Sequence, residues 1–149
     1  MKTPQIHHFR EKGQSLVEFA ISLTMMLILL AGVVYFGIGL FYYIAMRDAA
    51  QEGALYGSMN PTDSAGIQTR VADAAGPGLI RDLYDAGQLS VTVTKTGNCE
   101  GNGITVTLQH DYSLSWLSLG AFIEPFIGSD HIHLRAAVTD TILTPPCSP

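Results

Sequence analysis

Residues 19–46 read FAISLTMMLILLAGVVYFGIGLFYYIAM, a run of 28 positions without a charged side chain. As an α-helix this run would extend about 42 Å, at about 1.5 Å per residue, whereas the hydrocarbon core of a bilayer is about 30 Å thick. A soluble domain of this size does not normally contain such a stretch, so the sequence predicts one membrane-spanning helix with some tilt. Aromatic residues favour the membrane–water interface, which places the outer interface near residues 41–43.

The segment before this run is short, hydrophilic and basic. Residues 1–13 read MKTPQIHHFREKG, and positive charge holds this end in the cytoplasm, so the C-terminal part faces outward. An ordinary secretory signal has an apolar run of about 7–15 residues followed by a small-residue cleavage site. Here the run is about twice that length and no such site follows it, so we expect the helix to be retained. The predicted organisation is a basic leader at 1–13, a long hydrophobic helix at 14–58 and an exported domain at 59–149.

One carboxylate, Glu18, stands at the N-terminal rim of the apolar run. In one interpretation Ser15 caps the helix and Glu18, three residues further on, completes a capping box. The negative charge also suits the positive end of the helix dipole. A second interpretation comes from residues 13–20, which read GQSLVEFA between a basic leader and an apolar helix. The two are compatible, because a residue can cap its own helix before assembly and pair later.

This eight-residue stretch resembles the processing site of type IV pilin-like precursors. It is most similar to the TadE-like branch of the Tad (tight adherence) pilus system. The resemblance implies a class III-type prepilin signal that a membrane peptidase cuts between Gly13 and Gln14. Glu18 would then be the fifth residue of the mature chain, followed by Phe19, and the resemblance implies that both act in assembly.

Three glycines interrupt the predicted membrane span, at Gly32, Gly37 and Gly39. Glycine is common in membrane helices, so ordinary composition is one explanation. Small residues also allow helices to approach closely, so a bend or a tight contact in a bundle of helices is the other. We therefore treat the three glycines as candidate helix-packing residues.

The helix is expected to continue beyond the membrane. Residues 47–58 read RDAAQEGALYGS and also resemble the TadE-like pattern, although glutamine and leucine replace two arginines of the commoner version. Ala45, Ala49 and Gly53 are spaced four residues apart and form a stripe of small side chains on one helix face. Such a stripe predicts close packing against a sheet. The pair Asn60-Pro61 is expected to end the helix.

The remaining residues predict a small domain of mixed structure. A second helix is expected over residues 62–75 and a helical turn over residues 79–84. Glycine-rich residues 97–103 predict a hairpin loop. The fold class is therefore α+β, with a long N-terminal transmembrane helix packed on a small C-terminal domain that has a short helix and a three- to four-stranded antiparallel sheet. Alternating apolar and polar residues predict three of its strands, at 89–94, 104–112 and 132–142.

Two features of this domain stay open at the level of sequence. Residues 113–130 are too apolar for a free loop, and they either cover the sheet edge or contact a neighbouring subunit. Cys99 and Cys147 both follow the apolar run, so on the exported side they can form one disulfide or remain two free thiols. A disulfide would pin the C-terminal tail to the hairpin and contribute up to about 4 kcal/mol in the chain-entropy model.

The sequence carries no signature of catalysis, of a cofactor or of nucleic-acid binding. It has no glycine-rich phosphate loop, no Ser–His–Asp signature and no HExxH motif, so we expect neither an enzyme nor a cofactor. His131 and His133 share a strand face opposite to that of His110, and we expect no metal site because the three do not converge. The net charge of −5, without a basic stripe beyond the leader, disfavours nucleic acid.

The resemblance implies a structural, pilin-like subunit. Such a chain waits in the inner (cytoplasmic) membrane with its C-terminal domain outside, and then packs through its hydrophobic helix into an extracellular filament for adhesion. The implied partners are copies of itself or other pilins, the prepilin peptidase, the inner-membrane assembly platform, and lipid before assembly. The alternative is a minor pseudopilin or a single-pass membrane protein that primes or regulates assembly without being the main filament subunit.

Overall fold

A computed structural model describes residues 11–74, 78–113 and 131–146 of the chain. Within these residues three helices precede three strands, which confirms the predicted α+β fold. The chain divides into an N-terminal unit (Met1–Ile38) and a sheet unit (Gly39–Pro149), and the first helix contributes residues to both. In chain order the elements are α1 (Glu11–Met59), α2 (Ser64–Asp73), α3 (Leu79–Asp85), β1 (Leu89–Lys95), β2 (Gly103–Ser113) and β3 (His131–Thr141).

The N-terminal unit presents α1 as an apolar helix with its side chains on the surface. Residues 13–30 are all exposed. The leucines and methionines of this stretch are good helix formers, and it contains no proline. Thr24 donates its hydroxyl to the Ala20 carbonyl oxygen at 2.8 Å, so this polar group is satisfied inside the helix. The helix Gly13–Met59 is long and apolar enough to cross a membrane, as predicted.

The three strands form one antiparallel sheet in the order β1-β2-β3. Val106, on the central strand, lies opposite Val93 on one side and Val138 on the other, so the apolar faces of the strands coincide. The predicted hairpin joins β1 to β2, and Gly101 in its loop has a φ of +84°, which side chains other than glycine disfavour. The third strand ends one residue earlier than predicted, at Thr141.

In the sheet unit, α1 packs along β2 through its small residues. A Cβ added at Gly57 would lie 2.6 Å from Cδ1 of Ile104, and one added at Gly53 would lie 3.5 Å from Cγ1 of Val106. Small side chains therefore let the helix axis approach the sheet closely, as the sequence predicted. The core that results combines α1, all three strands and both short helices, and its buried members are Met46, Ala49, Ala50, Ala54, Ile67, Val71, Ile80, Leu83, Leu89, Ile104, Val106, Leu108, Ala136 and Ile142.

Helix α2 begins at Ser64 because Asp63 caps it. The Gly66 N–H donates to the Asp63 carboxylate at 2.9 Å, which satisfies one of the free amides at the helix start. Ile67 and Val71, one turn apart, are fully buried in the core. The predicted helix over residues 62–75 is thus correct in place but shorter. The predictions that concern residues 1–10, 75–77, 114–130 and Cys147 fall outside the described residues.

Candidate assembly helix

The N-terminal unit exposes a continuous apolar surface along α1. Well over half of the side chain is exposed at Leu16 (70%), Phe19 (67%) and Leu29 (72%). Soluble proteins rarely expose a contiguous apolar surface of this extent. Transfer of apolar surface out of water is favourable, so we expect this part of the helix to be surrounded by lipid or by another apolar protein surface.

Glu18 lies on this helix and is exposed. Helix α1 already includes Glu11, so Ser15 lies inside the helix rather than at its N-cap, and the capping-box interpretation is wrong. Within the part of the chain that the structure describes, Glu18 has no hydrogen-bond or ion-pair partner. An ionised carboxylate in apolar surroundings is costly unless it is paired. Glu18 therefore needs a partner once the helix surface around it is covered.

The predicted processing site lies just before Glu18 in the same helix. Gly13 and Gln14 are both exposed, and a Cβ added at Gly13 would meet no other atom within 4 Å. The bond between these two residues is therefore not shielded by the described residues. Their role in processing stays a prediction.

The glycines of α1 fall into two groups with different surroundings. A Cβ added at Gly32, Gly37 or Gly39 would meet nothing within 4 Å, so packing inside the described chain does not require glycine there. At Gly53 a Cβ would overlap Cγ2 of Val71, so the fold itself requires a glycine. Gly57 belongs to the same group. It was not among the predicted packing residues, although it continues the four-residue spacing of the stripe that begins at residue 45. In that stripe Ala49 is fully buried and Ala45 is half-buried.

Tyr42 joins α1 to the sheet within the sheet unit. Its ring stacks on that of His110, with centroids 5.5 Å apart and planes inclined by 19°, and it also meets the Tyr112 ring at 5.4 Å. His110 is 7% exposed, and its Nδ1–H donates to the Gln88 carbonyl oxygen at 3.0 Å. The sequence placed Tyr42 near the membrane interface with its two aromatic neighbours. The structure shows Tyr42 packed against the sheet and Phe41 63% exposed, and the position of the membrane interface stays a prediction.

The histidines of β3 lie on the opposite, solvent-facing side of the sheet. His131 and His133 are exposed, and His133 Nδ1 lies 2.6 Å from Oδ1 of Asp111, its cross-strand neighbour. This hydrogen bond, together with the nearby imidazoles, lowers the pKa of Asp111. Among the described residues, no three histidine, cysteine or acidic side chains are grouped so that they could hold a metal ion. At the other end of the sheet Cys99 is disulfide-bonded, and its predicted partner Cys147 lies outside the described residues.

The apolar helix also carries the match to a known family. A family model described as TadE-like protein matches residues 13–55. Residues 13–55 are therefore similar to TadE-like proteins, and we call them the TadE-like segment. The TadE-like segment starts at the glycine of the predicted processing site and ends within α1, so the match covers the helix and not the sheet. No match is found for the chain among curated proteins or among solved structures.

The TadE-like segment and the helix geometry together define what the site can do. The similarity over residues 13–55 and the membrane-length apolar helix near the N-terminus both suit a membrane-anchored protein. This part of α1 carries mostly apolar side chains, several glycines and one carboxylate, a composition that suits contact with apolar surfaces. The candidate site is therefore the exposed apolar surface of α1 within the N-terminal unit, with Glu18 as its charged group.

Proposed function

We propose that this chain is a structural, non-catalytic subunit of a Tad-type pilus, which is related to type IV pili. It is held in the inner membrane as a precursor and then packed through α1 into an extracellular filament for adhesion. The observation that carries the proposal is the apolar surface of the TadE-like segment, which is exposed throughout residues 13–30. This surface suits lipid, and it suits equally well the same surface of other subunits. During assembly, contacts between α1 and lipid would be replaced by contacts between α1 and other subunits.

Glu18 supplies a reason for subunits to pair in register. By the TadE-like resemblance, the prepilin peptidase cuts between Gly13 and Gln14, and Gln14 then carries a free amine. That amine can pair with Glu18 of a neighbouring subunit, which removes the cost of burying an unpaired carboxylate among apolar helices. The proposed partners are copies of this chain or other pilins, brought together at an inner-membrane assembly platform.

A single substitution separates membrane insertion from assembly. We expect Glu18→Ala to insert into the membrane as well as the unchanged protein does, because the substitution makes the helix more apolar. The yield of sheared surface filaments containing this chain should fall at least about tenfold, the effect of losing roughly 1.4 kcal/mol per contact. Glu52→Ala is the matched control, because Glu52 is exposed on the same helix but lies beyond the apolar run.

The measurement is electron microscopy of sheared filaments, with mass spectrometry of their subunits and of the membrane fraction. A normal filament yield from Glu18→Ala would contradict the role of the carboxylate. The presence of this chain in membranes only, in cells that make filaments, would contradict the proposal as a whole. Mass spectrometry of the mature N-terminus also tests whether cleavage occurs after Gly13.

A second candidate function is favoured by the size of the sheet unit. Residues 39–149 form a folded unit that is much larger than the membrane-spanning part of α1. Such bulk suits a minor pseudopilin, or a single-pass membrane protein that primes or regulates assembly, better than a subunit repeated along the whole filament. The number of copies per filament decides between the two. One or a few copies near the tip would favour the minor role, and copies in proportion to filament length would favour the main one.

A further inference from the structure

A short segment after β3 ties together the hairpin and the end of α1. We call residues 142–145 the strap. The N–H of Ile142 donates to the Asn102 carbonyl oxygen at 2.8 Å, and the Gly101 N–H donates to the Ile142 carbonyl oxygen at 3.0 Å. The Glu100 N–H donates to the Pro145 carbonyl oxygen at 2.8 Å. All three bonds go to the loop between β1 and β2, so the strap holds the tip of the hairpin.

The same segment caps the C-terminus of α1. The last carbonyl groups of a helix have no donor within the helix. Here the Leu143 N–H donates to the Ser58 carbonyl oxygen at 2.8 Å, and the Thr144 hydroxyl donates to the Met59 carbonyl oxygen at 2.9 Å. No basic side chain lies in the last turn of α1 to take this role. The strap therefore supplies the donors that the helix end needs.

The strap is held differently from the sheet it follows. Ile142 is fully buried, but Leu143 is 57% exposed and residues 144 and 145 are exposed as well. Its hydrogen bonds go to a loop and to a helix end. That of the Ile142 N–H continues the register of the β2–β3 ladder by one residue, and the others lie outside that ladder. Segments with few buried contacts open locally at lower free energy than the strands of the core.

We propose that the strap is a closing element: it is the last part of the sheet unit to form, and it opens locally while the three strands stay paired. Every group that the strap binds lies earlier in the sequence. The nearest is Asn102, which precedes its partner Ile142 by forty residues. If the C-terminal side is exported, a topology that rests on the proposed function, the strap crosses the membrane after all of its binding partners. The outer end of α1 and the hairpin then stay open until export of the strap, so that only an exported subunit has a capped helix.

Native-state hydrogen exchange of the full chain in detergent micelles tests the local opening. The amides of Gly101, Ile142 and Leu143 should exchange at least about tenfold faster than those of Val106 and Leu108 on β2. Their exchange should also be insensitive to low concentrations of denaturant, as is typical of local opening. Equal rates and equal denaturant dependence in the two groups would overturn the proposal, because the strap would then open only with the whole unit.

Two neighbouring substitutions test what holds the strap closed. Ile142→Ala removes a buried side chain and should speed exchange of the Gly101 amide at least about tenfold, whereas Leu143→Ala removes an exposed one and should change it less than about twofold. An unchanged rate in Ile142→Ala would refute the anchoring role. Because these measurements need no filament, they can succeed or fail independently of the proposed function.

Truncated chains test the order of closure in cells. A stop codon after Thr141 removes the strap, and one after Pro146 keeps it. We expect the first chain to be cleaved by added protease within the sheet unit at least about threefold faster than the second, with both inserted in the membrane. Equal cleavage would overturn the proposal. Unequal cleavage would support the proposal whether or not either chain assembles, because both chains also lack Cys147.

Discussion

Substitution of Gly53 by alanine tests the close packing between α1 and the sheet unit. A Cβ at this position would overlap Cγ2 of Val71, a fully buried residue of α2. Valine in a helix has essentially one side-chain rotamer, so the methyl group cannot rotate away, and α2 must move instead. The substitution therefore forces a backbone shift in a filled core.

The size of the effect follows from two opposing terms. Overpacking of a filled core costs about 1–3 kcal/mol. Alanine in place of glycine returns up to about 1 kcal/mol of helix propensity. Near the middle of the first range, the net destabilisation of the sheet unit should be about 1 kcal/mol, which corresponds to roughly fivefold faster exchange of amides that open only on global unfolding. Gly57→Ala should cost less, since there the obstacle is Cδ1 of Ile104, the far end of a more flexible side chain.

The assay is hydrogen exchange at the amides of Val106 and Leu108 in the full chain, in detergent micelles. Gly39→Ala is the matched control, because it makes the same change in the same helix and unit but would meet nothing within 4 Å. We expect this control to exchange at the unchanged rate or more slowly. If Gly53→Ala behaves like Gly39→Ala, the helix is not packed closely on α2, and the explanation of the small-residue stripe is wrong.

Two further predictions concern the sheet. The pKa of Asp111 lies below its ordinary value of 3.8 because His133 is hydrogen-bonded to it. The stabilisation from this interaction is therefore complete above pH 3.8 and is lost as pH falls through the lowered pKa. His133→Gln should raise the pKa of Asp111, as read from its carboxyl carbon shift by NMR, and an unchanged pKa would rule out that cause. Reduction of the disulfide at Cys99 should lower the free energy of unfolding, by up to about 4 kcal/mol if Cys147 is the partner, and should therefore lower the denaturant midpoint. Cys99→Ser should not respond to reductant, and a midpoint equal in both redox states would contradict a stabilising role.

The elements of the fold follow from local patterns, which is why the sequence predicts them well. Strict alternation of apolar and polar residues defines the three strands, since the face of a strand alternates with every residue. The unbroken apolar run defines α1 in the same way, and the stripe at Ala49 and Gly53 indicates its buried face. The family resemblance at residues 13–20, now supported by the match over residues 13–55, depends on the same local information.

The contacts that join these elements are not local, and the sequence gives no sign of them. Tyr42 meets His110 across 68 positions, and Thr144 meets Met59 across 85. Neither pair has a spacing or a composition that distinguishes it from many others. The sequence around Thr144 does not indicate that its hydroxyl binds the C-terminal end of α1. This contact depends on where β3 ends in the folded domain.

The glycines of α1 differ in whether the described part of the chain accounts for them. Glycine in a helix interior is destabilising relative to alanine, so its presence needs a reason. For Gly53 and Gly57 the reason lies within the chain, in Val71 and Ile104, which leave no room for a Cβ. A Cβ added at Gly32 would meet no described atom within 4 Å, and the neighbouring Val33 and Val34 are apolar and exposed. If a reason of the same kind holds there, the atoms that approach this backbone lie outside the described residues. If they belong to another subunit, Gly32→Leu should impair filament assembly while leaving exchange of the β2 amides unchanged.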